Sequence, residues 1–119
     1  MLNLFYLIKI SCANIYRDKI ETKGLNKMKI QQITSKATIT KKFLNIVNES
    51  GIEYDSIYLF GSRAGVNFSD DSDWDFLVII KNDLEEREKK EYRGRLRMIF
   101  HDYFPFNPID IIIKDLRCF

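Results

Sequence analysis

Three aspartates and one glycine–serine pair carry the chemistry that this chain could do. Asp73 and Asp75 stand two apart, where the apolar run Phe76–Ile80 opens. Residues i and i+2 of a strand share a face, so the two carboxylates project together and Trp74 faces the other way. Carboxylates held side by side repel unless something cationic lies between them. A divalent metal is the simplest such cation, and oxygen-only ligation suits Mg2+ or Mn2+. Asp110 lies one residue into Ile109–Lys114, a continuous apolar run of the kind that suits an inner strand covered on both faces. A carboxylate there is expensive to bury alone. Beside Asp73 and Asp75 it becomes a third ligand, and the ion offsets the cost.

Gly61-Ser62 ends the preceding apolar run, Ile57–Phe60. A glycine at a strand end lets a phosphate approach the backbone closely. If a helical turn follows, its first N–H groups and the Ser62 hydroxyl make an anion site. A phosphate-binding turn next to a metal-binding carboxylate pair describes a site for a nucleoside triphosphate. Taken singly, each signal is weak, since glycine is common at turns and aspartate at loop ends. The combination is specific.

Gly61-Ser62-Arg63-Ala64, followed after a loop by Ser72-Asp73-Trp74-Asp75, resembles the G-S…D-x-D signature of the polymerase-beta-like nucleotidyltransferases. The resemblance covers residues 39–115, and its nearest form is the minimal nucleotidyltransferase (MNT) domain often encoded beside a HEPN-domain toxin. It implies transfer of a nucleoside monophosphate from an NTP, with ATP as donor, assisted by two Mg2+ ions (Mn2+ as substitute). Asp73 and Asp75 would be ligands of both ions. Asp110, on the strand where the family places a third carboxylate, would hold the ion nearer the attacking hydroxyl. Gly61 and Ser62 would grip phosphates, with Arg63 either an electrostatic helper or a structural salt-bridge partner. For relatives paired with HEPN toxins the implied acceptor is a hydroxyl on the toxin. The protein is then an antitoxin that modifies its partner or, alternatively, a weak or inactive module that neutralises by docking. Nucleotidylation of a small molecule shares the same motif.

The elements that must position these residues follow from periodicity. Ile39, Phe43, Ile46 and Val47 share one helical face, with Thr38 as N-cap and Gly51 as C′ residue. Ile57–Phe60 and Trp74–Lys81 read as strands, joined by a turn at Gly61–Gly65 and a polar loop at Val66–Ser72. Asp83–Tyr103 reads as a long helix. Asp83/Arg87, Glu85/Lys89, Glu86/Lys90 and Glu91/Arg95 are spaced i,i+4 with the acid first, and Tyr92, Leu96, Ile99, Phe100 and Tyr103 form its inward stripe. Pro105 and Pro108 stop it. Ile109–Lys114 is the third strand. The order helix, strand, strand, helix, strand gives an α/β (α+β) fold: a small mixed sheet with helices packed on it, the polymerase-beta-like nucleotidyltransferase fold. His101 reads as a surface or capping histidine, Trp74 as packing under the sheet, and Asp70 and Asp71 as loop solvation.

Length and charge set the outer bounds. A chain of 119 residues allows one domain with a modest core. Net charge is +2, divided between residues 1–54 (nine Lys/Arg against four Asp/Glu, +5) and 55–119 (ten against thirteen, −3). The basic half is too dilute to imply direct nucleic-acid binding. No apolar stretch approaches the roughly 20 residues that span a bilayer. Cys12 and Cys118 have no CxxC spacing and no neighbouring histidine, which fits free thiols in a reducing cytoplasm. Residues 1–27 show no sustained period, and the ordered pattern starts after Met28. They read as an N-terminal extension ahead of a domain at 28–119, with Met28 the expected start of translation. Related domains continue past the point where this chain stops, at Phe119, which suggests a truncated copy or a domain completed by a partner.

Overall fold

In a computed structural model of the chain, residues 7–10, 27–65 and 71–116 are described. Four strands and two helices follow in the order β1 (Leu7–Lys9), α1 (Lys27–Ser50), β2 (Tyr54–Phe60), β3 (Trp74–Ile80), α2 (Glu86–Tyr103) and β4 (Ile109–Asp115), with a 3-10 turn at Ser62–Ala64 after β2. The sheet runs β1-β2-β3-β4. Its first two pairings are antiparallel and the last, β3 with β4, is parallel. This is the mixed α+β fold expected from the order of elements.

The two faces of the sheet divide cleanly. Ile57, Leu59, Phe76, Val78, Ile80, Ile111 and Ile113 join Ile39, Phe43, Ile46 and Val47 of α1 and Leu96 and Phe100 of α2 in one core. At its centre Phe43 stacks on Phe76, with ring centroids 3.9 Å apart and planes 6° from parallel, and Phe100 meets both edge-on. The edge-on contacts add a favourable aromatic interaction to the apolar area that these rings bury. One stack thus joins α1, β3 and α2 directly behind Asp75.

Several boundaries differ from the sequence expectation. Helix α1 begins at Lys27, so Thr38 lies inside it and caps nothing. The hydroxyl of Thr40 donates back to the Lys36 carbonyl at 2.7 Å, which lets a threonine sit within a helix. Gly51 does end α1, with φ +82. Helix α2 begins at Glu86, after a reciprocal capping box between Glu85 and Glu88. Lys89 pairs neither as expected nor at the surface. It lies one turn ahead of Tyr92 on the inward stripe, so its side chain is buried, 3.7 Å from Asp115 and 3.3 Å from Glu86. Tyr103 turns outward beneath the Lys42 ammonium instead of into the core.

Strand β4 is the sheet edge and not an inner strand, so Asp110 is exposed rather than buried. On the other edge, Leu7–Lys9 of the expected N-terminal extension pairs with Tyr58–Phe60 as β1, and the Ile10 amide donates to the Ile57 carbonyl at 2.8 Å. The expectations for Cys12, Cys118, Asp70 and the other residues of 1–6 and 11–26 lie outside the described residues. Among the described residues, no helix is long and apolar enough to cross a membrane.

Candidate active site

The site is built from strand ends that the sheet brings level. Phe60 pairs with Asp75, and Asp75 pairs with Asp110. Paired residues on neighbouring strands point to the same face, about 4.8 Å apart in the backbone. Asp75 and Asp110 therefore stand side by side on the face away from the helices. Asp73, two residues before Asp75 and exposed, extends the row at the mouth of β3. Trp74, between them, turns into the core and is 1% exposed.

Electrostatics report the crowding. Burial first, then the carboxylates of Asp110 and Asp73, push Asp75 from its ordinary 3.8 up to about 6. Such a site favours a cation. The donors are all hard carboxylate oxygens, the chemistry of Mg2+ or Mn2+. The three do not close a cage alone: among the described residues, no group of three or more His, Cys, Asp or Glu is spaced to hold a metal ion. Ligands from a bound nucleotide would have to complete the shell, as for a metal that arrives with phosphates.

The glycine–serine turn meets this row directly. Gly61 follows Phe60 and has φ +75 and ψ −159, a conformation open essentially to glycine alone. A Cβ built at Gly61 would overlap the Asp75 carboxylate and lie 3.3 Å from its Cγ. The absent side chain is thus what lets the turn and the carboxylate share space. The turn closes through Ala64 N–H donating to Gly61 O at 3.2 Å and Gly65 N–H to Ser62 O at 3.0 Å. Ser62 points to solvent.

Arg63, the next residue, points the opposite way. It is 4% exposed, its Nε donates to the Ser72 carbonyl at 3.1 Å, and its guanidinium lies 4.5 Å from the centroid of the Trp74 ring. Its place is behind the turn, on the side of Trp74. Lys36 of α1 joins it there, donating to the Gly65 carbonyl at 2.9 Å. Burial, then the nearby Arg63 charge, lower the Lys36 pKa. Sequence reasoning missed Lys36 because it started the helix two residues later. The signal was present: Lys36, Thr40, Phe43 and Val47 repeat at helical spacing, which put a lysine on an otherwise inward stripe. His101 contacts the Asn107 carbonyl at 3.2 Å in the segment between α2 and β4, and Asp71 is exposed.

Residues 41–116 match the family model described as Polymerase beta, Nucleotidyltransferase. Comparison with curated proteins and with solved structures gives no match.

Proposed function

The chain belongs to the polymerase beta nucleotidyltransferase family and carries a nucleotidyltransferase-type function; from this we propose that it transfers a nucleoside monophosphate, AMP from ATP, to a hydroxyl acceptor, with pyrophosphate as the leaving group. The observation that carries the reading is the row Asp73, Asp75 and Asp110 set against Gly61, where a phosphate turn and a carboxylate cluster occupy one corner of the sheet.

In this reading Asp73 and Asp75 would hold two Mg2+ ions, with Asp110 as a further ligand. When bound, the ions neutralise charge on the attacking and leaving oxygens of an in-line displacement. Gly61 and the Ser62 hydroxyl hold the outer phosphates. Asp110, exposed at the sheet edge, faces an incoming hydroxyl and takes up its proton at a carboxylate oxygen. Lys36 and Arg63 place two positive charges behind the turn, which favours a polyphosphate in front of it.

For the acceptor we propose a hydroxyl on a HEPN-domain partner, so that the chain serves as the modifying half of a cytoplasmic toxin–antitoxin pair. The test is transfer of label from α-labelled ATP to a co-expressed HEPN protein in the presence of Mg2+. Label on the partner, abolished by Asp73→Asn/Asp75→Asn, supports the reading; no transfer to the partner or to any co-purifying molecule sinks it. A second reading is neutralisation by docking alone, since among the described residues the carboxylate row closes no metal cage unaided. Under it the double variant would neutralise the partner as well as the parent does.

A further inference from the structure

We propose that Arg63 is a positioning residue for the carboxylate row, acting from the helix side of the sheet through Trp74. The inference rests on the nucleotidyltransferase reading of the site but concerns residues to which that reading gives no such role.

Three segments supply the site, and Arg63 and Trp74 join all three. Arg63 belongs to the 3-10 turn itself, next to Ser62. Its Nε holds the Ser72 carbonyl, one residue before Asp73. Its guanidinium covers Trp74, which lies between Asp73 and Asp75. Trp74 in turn donates its backbone N–H to the Pro108 carbonyl at 2.9 Å and pairs with Ile109, the neighbour of Asp110. Because side chains alternate across a strand, everything clamped on the helix side has its site residue one position away on the other side. A shift of Trp74 would move Asp73 and Asp75 together and change their height relative to Asp110.

The chemistry of Arg63 suits that task. A planar guanidinium can stack on an indole while its Nε–H donates within its own plane, which a lysine cannot do. Burying that charge is costly, and an apolar side chain of similar length would fill the space without the desolvation. Trp74 shows the same bias: its Nε1, buried, has no hydrogen-bond acceptor among the described residues. The indole is held for its ring face and its place in the strand.

The experiment compares wild type, Arg63→Lys, Arg63→Met and Trp74→Phe. Two quantities are read: Mg2+-dependent ATP affinity by calorimetry, and amide hydrogen exchange at Trp74 against the central residues of β3. The loss of one stacked, hydrogen-bonded guanidinium predicts about tenfold weaker binding in both Arg63 variants. It also predicts faster exchange at the Trp74 amide alone, with the middle of β3 unchanged. Trp74→Phe, which keeps an aromatic face, stays close to wild type in both. Unchanged affinity and exchange in folded Arg63→Met overturn the proposal. So does a uniform rise in exchange along β3, or unfolding of both Arg63 variants, since either makes Arg63 a support of global stability only. If the wild type itself binds no ATP, the nucleotidyltransferase reading fails, and the exchange measurement still decides whether Arg63 positions the strand.

Discussion

Gly61 and Asp75 share one space: a Cβ on the glycine would overlap the aspartate's carboxylate and lie 3.3 Å from its Cγ. The contact joins the end of β2 to the second residue of β3 through a backbone conformation closed to other residues, φ +75 with ψ −159. Gly61→Ala is therefore expected to cost about 1–3 kcal/mol in backbone strain and to push Asp75 out of line. Thermal melting reads the first effect and ATP calorimetry the second. A variant that melts and binds like the parent would show that the turn yields without disturbing the carboxylate.

The raised Asp75 carboxyl makes the stability of the metal-free protein depend on pH. With a folded value of about 6 against an ordinary 3.8, the folded chain keeps a proton that the unfolded chain releases between those values. Stability from this group is therefore full at the acid end, declines as pH rises through that window, and stays reduced above it. Asp75→Asn removes the dependence. Without metal, the variant is expected to melt above wild type near neutral pH, by about 1 kcal/mol once solvent screening of a half-buried group is allowed for. Their melting curves should converge below the window. Adding Mg2+ together with ATP should stabilise the wild type more than the variant and narrow the gap.

The buried pair Lys89–Asp115 fastens α2 to the end of β4 remote from the site. Removing one partner weakens the compensation of the other's charge in a buried place, although Lys89 keeps Glu86, so Lys89→Met or Asp115→Leu is expected to destabilise by about 1–3 kcal/mol. The double change Lys89→Met/Asp115→Leu should recover much of that loss, because neither charge is then buried. Urea denaturation of the four proteins measures the coupling. Additive single effects would contradict it.

Strand β1 covers the free edge of β2 through Leu7–Lys9, and Ile10 enters the core. A chain begun at Met28 lacks both. It is expected to unfold at lower urea concentration and to self-associate through the bared edge of β2. Denaturation and light scattering compare the two lengths. Equal stability would show that β1 contributes nothing to the fold.

What could be read from the residues was set by what repeats or pairs locally. The alternation at Asp73, Trp74 and Asp75 gave their opposite faces, and the apolar runs gave β2, β3 and β4 to within three residues. Sheet order was not legible, because it depends on pairing between distant segments. Ile109–Lys114 looked like an inner strand, yet it forms the edge, and Asp110 is exposed for that reason. Lys89 was not legible as a buried residue, because it is a long cation at an inward position whose charge is met by a partner remote in sequence, Asp115. For Arg63 the residues left two roles open, electrostatic helper or structural partner, and its contact with Trp74 is made across a loop. Leu7–Lys9 is too short to stand out by pattern.

The most direct test of the nucleotide site is calorimetry of ATP binding with and without Mg2+, for the wild type and for Asp73→Asn/Asp75→Asn. The site described above predicts binding that requires Mg2+ and is lost in a double variant that remains folded. A folded wild-type protein that binds no ATP, or a double variant that binds it equally well, would contradict the assignment of these carboxylates to a nucleotidyl-transfer centre.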